Sequence, residues 1–280
     1  MIIHLEDDPI YGDCWQAYLG VNVKKPKEIS AYARYINGKV DGYNYWFVEM
    51  AIDKGLNIPF VGGLALDGIG GKVFKHMKYV RDENNPLEST YFPNDSVNFG
   101  VGVTLWMIDA ATGGETVKLK VGAEVVIYDE CFSMEIRGNV AVKSKDNSKD
   151  ASFDNALVSG EGFVGYSTID NHFIGQFNVN ANVSPLICGG GELGINIQPG
   201  FWNVYIGKKV TPIQIKLLCK DALLVKSWFE ITNTTLQFGV QSEFDFYAQS
   251  PWFKVGRYWR PYAGFGWEFL AELDMSYKPH

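Results

Sequence analysis

The segment FIGQFNVNANV, Phe173 to Val183, alternates apolar and polar side chains. Phe173, Gly175, Phe177, Val179, Ala181 and Val183 fall on one side, and Gln176, Asn178, Asn180 and Asn182 on the other. A period of two belongs to a pleated strand and is incompatible with the 3.6-residue period of an amphipathic helix. It predicts a strand with one buried apolar face and one solvated polar face. TVKLKVGAEVVIY reads the same way, with Val117, Leu119, Val121, Ala123 and Val125 opposing Lys118, Lys120 and Glu124. After a polar turn near Asp129 and Glu130, Met134, Ile136, Val140 and Val142 oppose Glu135, Arg137, Asn139 and Lys143. Two such runs joined by a short polar link predict an antiparallel hairpin.

Further strands are expected over residues 15–23, 29–36, 43–52, 97–108, 213–219, 231–240 and 244–248. Aromatic residues at 15% and 30 glycines fit this, since aromatics suit pleated surfaces and glycine supplies turns and bulges. Helical periodicity is confined to Lys72–Val80 and Asp221–Phe229, and in the second the alternation of Leu223, Val225, Ser227 and Phe229 favours a strand. The expected fold is therefore all-β: a large antiparallel β-sandwich or curved open sheet, as one unit or as two packed β domains. A closed barrel satisfies the same alternation. The polar run from Lys143 to Asn155 marks the expected boundary. It divides a β-rich half, 1–145, from a second, 156–280, across a loop or linker at 146–155.

A net charge of −7, with Lys and Arg scattered among acids, argues against nucleic acid as a partner. No apolar run approaches the ~20 residues of a membrane helix, so no integral membrane helix is expected. The opening MIIHLEDDPI lacks the basic and apolar regions of a signal peptide. The chain reads as cytoplasmic, or as a fragment of a secreted or envelope protein. Cys14, Cys131, Cys188 and Cys219 are far apart in sequence and read as buried free thiols.

The formal GxGxxG at Gly189, Gly191 and Gly194 is followed by strand-like sequence containing Pro199 and Gly200. A dinucleotide site needs a helix there to present amides to the pyrophosphate, so a glycine-rich turn or strand kink is expected instead. GLALDGIGGK, Gly63 to Lys72, fails the Walker spacing, with Leu66 and Val73 misplaced, and reads as a turn lying close to neighbouring backbone. Asp146, Asn147, Asp150 and Asp154 lack the glycine and closing glutamate of a calcium loop. His4, His76, His172 and His280 show no metal spacing. His76 and His172 could act as acid or base, and Glu161 and Asp170 could pair as in a glycosidase, but no catalytic set is assigned. Neither metal nor cofactor is expected. Asn94, Asn182 and Asn233 sit in sequons read as accidental.

The C-terminal stretch is dense in aromatics. Trp252, Tyr258, Trp259, Tyr262 and Trp267 are the candidate binding surface, for sugar rings or for another protein; filling a sheet-on-sheet core is the alternative.

GYNYWFVEMAIDKGLNIPFVGGLALDGIGGKVFKHMKYV with YFPNDSVNFGVGVTLWM, and later GINIQPGFWNVYIGKKVTPIQIKLLCKDALLVKSWFEI, resembles β-rich segments of very large uncharacterised bacterial proteins. The resemblance covers about half of the chain and implies a module of a larger secreted or envelope-associated machine. It brings no catalytic residues with it. The expected function is a non-enzymatic structural or binding module meeting other protein subunits. A carbohydrate-binding module or glycoside hydrolase using the C-terminal aromatics, and an outer-membrane-type β-barrel, are the alternatives.

Overall fold

The computed structural model describes residues 2–24, 28–81, 89–144, 156–183, 187–217, 223–249 and 262–276. Strands β1 (Ile2–Asp8), β2 (Gly12–Val23), β3 (Ile29–Val40), β4 (Tyr43–Lys54), a two-residue β5 (Ile58–Pro59) and β6 (Leu64–Lys75) come first. Then follow β7 (Met77–Arg81), β8 (Ser89–Pro93), β9 (Phe99–Asp109), β10 (Val117–Ile127), β11 (Phe132–Ser144), β12 (Ala156–Ser167) and β13 (His172–Val183). The last are β14 (Ile187–Gln198), β15 (Phe201–Ile206), β16 (Ile213–Leu217), β17 (Leu223–Thr232), β18 (Thr235–Gln249) and β19 (Tyr262–Ser276). The protein is all-β, as expected, and its strands form one 17-stranded antiparallel sheet plus the small β7–β8 hairpin. It is a single large sheet rather than two sheets stacked as a sandwich.

The sheet is a meander. Neighbours in sequence are neighbours in space, except that β4 pairs with β6 while the short β5 also pairs with β6, β9 passes the β7–β8 hairpin to pair with β6, and β15 and β16 share one place between β14 and β17. The alternation at residues 117–142 sets its register as anticipated, with Val125 opposite Met134 and Ile127 opposite Phe132. β11 continues directly into pairing with β12, on either side of residues 145–155. The 146–155 loop, with its acidic cluster, lies outside the described residues. Among the described residues β1 bonds only β2, and β19 only β18.

Three local expectations change. Lys72–Val80 is not helical: β6 runs to Lys75, and His76 at φ 51° turns the chain into β7. Gly63–Lys72 is not a turn but mostly strand β6, although the close approach is real. A side chain at Gly68 would run into the backbone of Ile52 and Asp53. The Gly189–Gly194 run likewise lies inside β14 rather than at a turn. Of the Asp221–Phe229 segment, the described residues from Leu223 on form β17, the preferred strand, and residues 221–222 lie outside the described residues.

The larger correction concerns which face is covered. Phe177 and Val179 of the expected buried face are 41% and 47% exposed, while Glu124, on the opposite side of its strand, is 6% exposed. The apolar row lies open on strand after strand: Leu19, Val21, Met50, Val101, Val103, Ile136, Leu193, Ile215, Val240 and Leu273. Long charged side chains can be better covered than aliphatic ones on the reverse face only if the sheet curls around the charged side. The polar face is therefore the inner one. Alternation dictates which residues share a face, but not which face is enclosed.

The inner face is sealed at one end by the β7–β8 hairpin, which folds back over it from the β6 rim. Met77 and Tyr91 of the hairpin pack with Cys14, Ile36, Tyr45, Phe47, Phe74, Val97 and Val126 in the main apolar core. Backbone bonds between His76 and Val97 and between Asn94 and His76 close its neck. Cys14 and Cys131 are free thiols, but Cys188 is disulfide-bonded, which corrects the expectation of four free thiols.

Candidate functional site

Directly opposed residues on neighbouring strands point to the same side, so register alone assembles a site from distant sequence. One inner row runs Arg34, Glu49, Lys72, Gly102, Glu124, Glu135. The next-but-one row runs Trp106, Lys120, Asn139, Glu161, Asn178, Glu192. Between them stand Thr104, Gly122, Arg137 and Phe163.

Glu124 is the centre of this network. Its carboxylate lies 2.6 Å from Lys72 Nζ and 3.8 Å from an Arg137 nitrogen. It also accepts a hydrogen bond from the Tyr91 hydroxyl, which itself accepts one from Lys72. Arg137 is 3.0 Å from Glu135 through Nε, and its guanidinium lies 3.9 Å from the centre of the Tyr79 ring. Glu124 and Glu135 face each other directly, a like-charge pair that Lys72 and Arg137 compensate. Tyr79 and Tyr91 come from the hairpin and the charges from the sheet, so the network fastens one to the other. Burial first, and then the Glu124 charge, push the Tyr91 hydroxyl well above its ordinary pKa. Tyr91 therefore remains a donor.

Beside this cluster a pocket is lined by Tyr32, Glu49, Trp106, Lys120, Arg137 and Asn139, among others. Tyr32 donates to Glu49 at 3.4 Å, and Lys120 Nζ sits 5.5 Å from the centre of the Trp106 ring. Among the described residues no group of three or more His, Cys, Asp or Glu is placed to hold a metal ion.

The outer face has its own order. At one rim stand Trp15, Tyr35, Trp46, Phe99, Phe132, Tyr166, Phe173 and Trp202, from eight different strands. That rim carries two-residue turns at Asp41–Gly42, Pro199–Gly200 and Asn233–Thr234, and also the long 76–98 connection that holds the β7–β8 hairpin. The opposite rim carries the longer connections 110–116, 145–155 and 250–261, and its outer positions are aliphatic, among them Val23, Met50, Val183, Ile187 and Leu217.

The other sequence candidates do not converge. Glu161 is in mid-strand, and Asp170 lies beyond Ser167 in the β12–β13 turn, so they are separated by six strand residues, about 20 Å. That exceeds any glycosidase spacing. His172 bonds Asn196 at 2.9 Å and approaches Asp170 at 3.6 Å. His76 pairs through Nδ1 with the Asn44 carbonyl at 2.7 Å. Each ties down a turn or strand end. Trp252, Tyr258 and Trp259 lie outside the described residues. Tyr262 and Trp267 have described backbone only, opposite Gln249 and Phe244.

Sequence reading missed the inner network. Its signal was present in the alternation that set Lys120, Glu124, Glu135 and Arg137 on one side, but that side was taken for the solvated one. No family model, curated protein or solved structure matches this chain.

Proposed function

We propose that the chain is the wall of an outer-membrane-type β-barrel, with its apolar outer face against lipid and its charged inner face against water. The observation that carries this reading is the continuous row of exposed apolar side chains on the outer face, paired with charged and amide side chains inside. Lipid-facing barrels use that inversion, and soluble sheets bury the apolar side instead. Strand length supports it: β9 and β10 have 11 residues and β2, β3, β4, β12, β13 and β14 have 12. About 9–11 tilted residues cross a bilayer. The aromatic rim fits one interfacial girdle. The disulfide at Cys188 suits an oxidising compartment. No described helix is long and apolar enough to cross a membrane.

The test is refolding from urea into phosphatidylcholine vesicles. Insertion predicts protease protection of the strands and quenching of tryptophan fluorescence by brominated acyl chains. A stable monomer in detergent-free buffer, with no lipid quenching, overturns the reading.

A second reading, contact with other protein subunits, is favoured by the β19 edge. Its 15 residues bond β18 on one side only, among the described residues. Unpaired strand edges are templates for another strand. Cross-linking of cysteines introduced along β19 to a second chain tests it, and persistent absence of cross-links under assembly conditions removes it.

A further inference from the structure

The two edges of the large sheet run in the same direction. Every pairing in it is antiparallel, and the path from β1 to β19 takes an even number of steps. That path passes β2, β3, β4, β6, β9 to β14, the place shared by β15 and β16, β17 and β18. Closing β1 directly on β19 would therefore make a parallel pair in a sheet that otherwise has none among the described residues. The lengths do not match either, since β1 has 7 residues and β19 has 15. More than half of the β19 edge would keep unpaired backbone groups, which a bilayer core does not tolerate. A second copy inserted in the same orientation offers its own β1 to that edge and meets both obstacles again.

The open edge has a defined chemistry. From Glu268 to Ser276 the side chains of β19 are exposed whichever face they occupy. Glu268, Glu272 and Asp274 point inward, and Phe269, Leu273 and Met275 point outward. Gln241, Lys209 and Gln237 reach the three acids from within the chain, and of these only Lys209 brings a positive charge.

We propose that one strand donated by a second polypeptide fills the gap between β19 and β1, running opposite to both. It spans the length of β19, carries an apolar residue toward lipid at every second position, and places Lys or Arg inward against Glu268 and Asp274. Opposite charges directly across a strand pair stabilise it. The added strand makes the strand count even and the closed wall antiparallel throughout, as single-chain bacterial barrels are. The inference rests on the membrane-wall reading above.

The test uses the full chain refolded into phosphatidylcholine vesicles and a synthetic peptide of the length of β19. The peptide alternates outward valine with inward lysine and threonine and begins with cysteine. Oxidation is expected to join it to Met275→Cys on β19 and to Glu6→Cys on β1, but not to Phe269→Cys, since an antiparallel strand begins where β1 and β19 end. A peptide with glutamate in place of lysine is expected to join about tenfold less, because it sets like charges opposite the acids of β19. Direct joining of Glu6→Cys to Leu273→Cys or Met275→Cys without peptide overturns the proposal, as does equal joining to Phe269→Cys or equal joining of the two peptides. Quenching of tryptophan by brominated lipid is recorded in the same samples. Quenching with no peptide joined overturns the donated strand and leaves the membrane wall standing, whereas absence of quenching removes both.

Discussion

Lys72 reaches Glu124 across an intervening strand because Gly102 stands between them. Gly102 is the direct partner of both residues, and a Cβ at that position would come within 2.5 Å of Lys72 Cε. The 2.6 Å ion pair therefore depends on a side chain being absent from the strand that separates its two partners. The same device recurs at Gly100, where a Cβ would fall within the ring of fully buried Phe74. Aromatic and long side chains lie across glycines of the neighbouring strand, which is how a sheet this rich in both closes its inner surface.

Removing the acid at the centre of the network should be costly. Glu124→Gln leaves Lys72 and Arg137 with one fewer counter-charge in a site where Lys72 is 11% exposed. Breaking a buried pair from one side costs about 3 kcal/mol, whereas replacing both partners by apolar residues costs much less. Guanidinium unfolding of Glu124→Gln and of the Lys72→Met/Glu124→Met double variant measures the difference. Equal losses would count against a paired network.

Gly100→Ala should destabilise by about 1–3 kcal/mol, the usual penalty for overpacking. Phe74 cannot move aside, being enclosed by Phe47 and Tyr91 with ring centres 6.2 and 5.0 Å away. Combining the change with Phe74→Leu should recover part of the loss. The midpoint of chemical unfolding reports both.

Acid should loosen the β9–β10 turn. Burial pushes the Asp109 carboxyl upward, but bonds from the Thr112 hydroxyl and the amides of Val117, Thr112 and Thr116 outweigh it and hold the pKa at about 2. A lowered folded-state pKa contributes stability that is fully present above the ordinary value of 3.8 and is lost as pH falls through about 2. Stability measured from pH 5 to pH 2 should fall less steeply in Asp109→Asn than in the parent chain.

The two faces should respond oppositely to charge. Val179→Arg places a cation on the outer face and should cost about 2–4 kcal/mol in a bilayer. Asn180→Arg, one residue along and turned inward, should cost little. Unfolding from phosphatidylcholine vesicles distinguishes them, and similar costs would argue against lipid on the outer face.

The alternation at residues 117–142 and 173–183 determined strand identity, hairpin register and the membership of each face, because a pleated strand has a fixed period of two. It could not decide which face is enclosed. Enclosure depends on how the whole sheet curls and where the β7–β8 hairpin returns, and no local window contains either. Lys72, Tyr91, Glu124 and Arg137 are scattered over 66 positions of sequence, and only the antiparallel stacking of β6, β9, β10 and β11 with the folded-back hairpin brings them together. The orphaned Asn139 amide follows from the same cause: its sequence places it on a polar face, and the tertiary structure buries that one position.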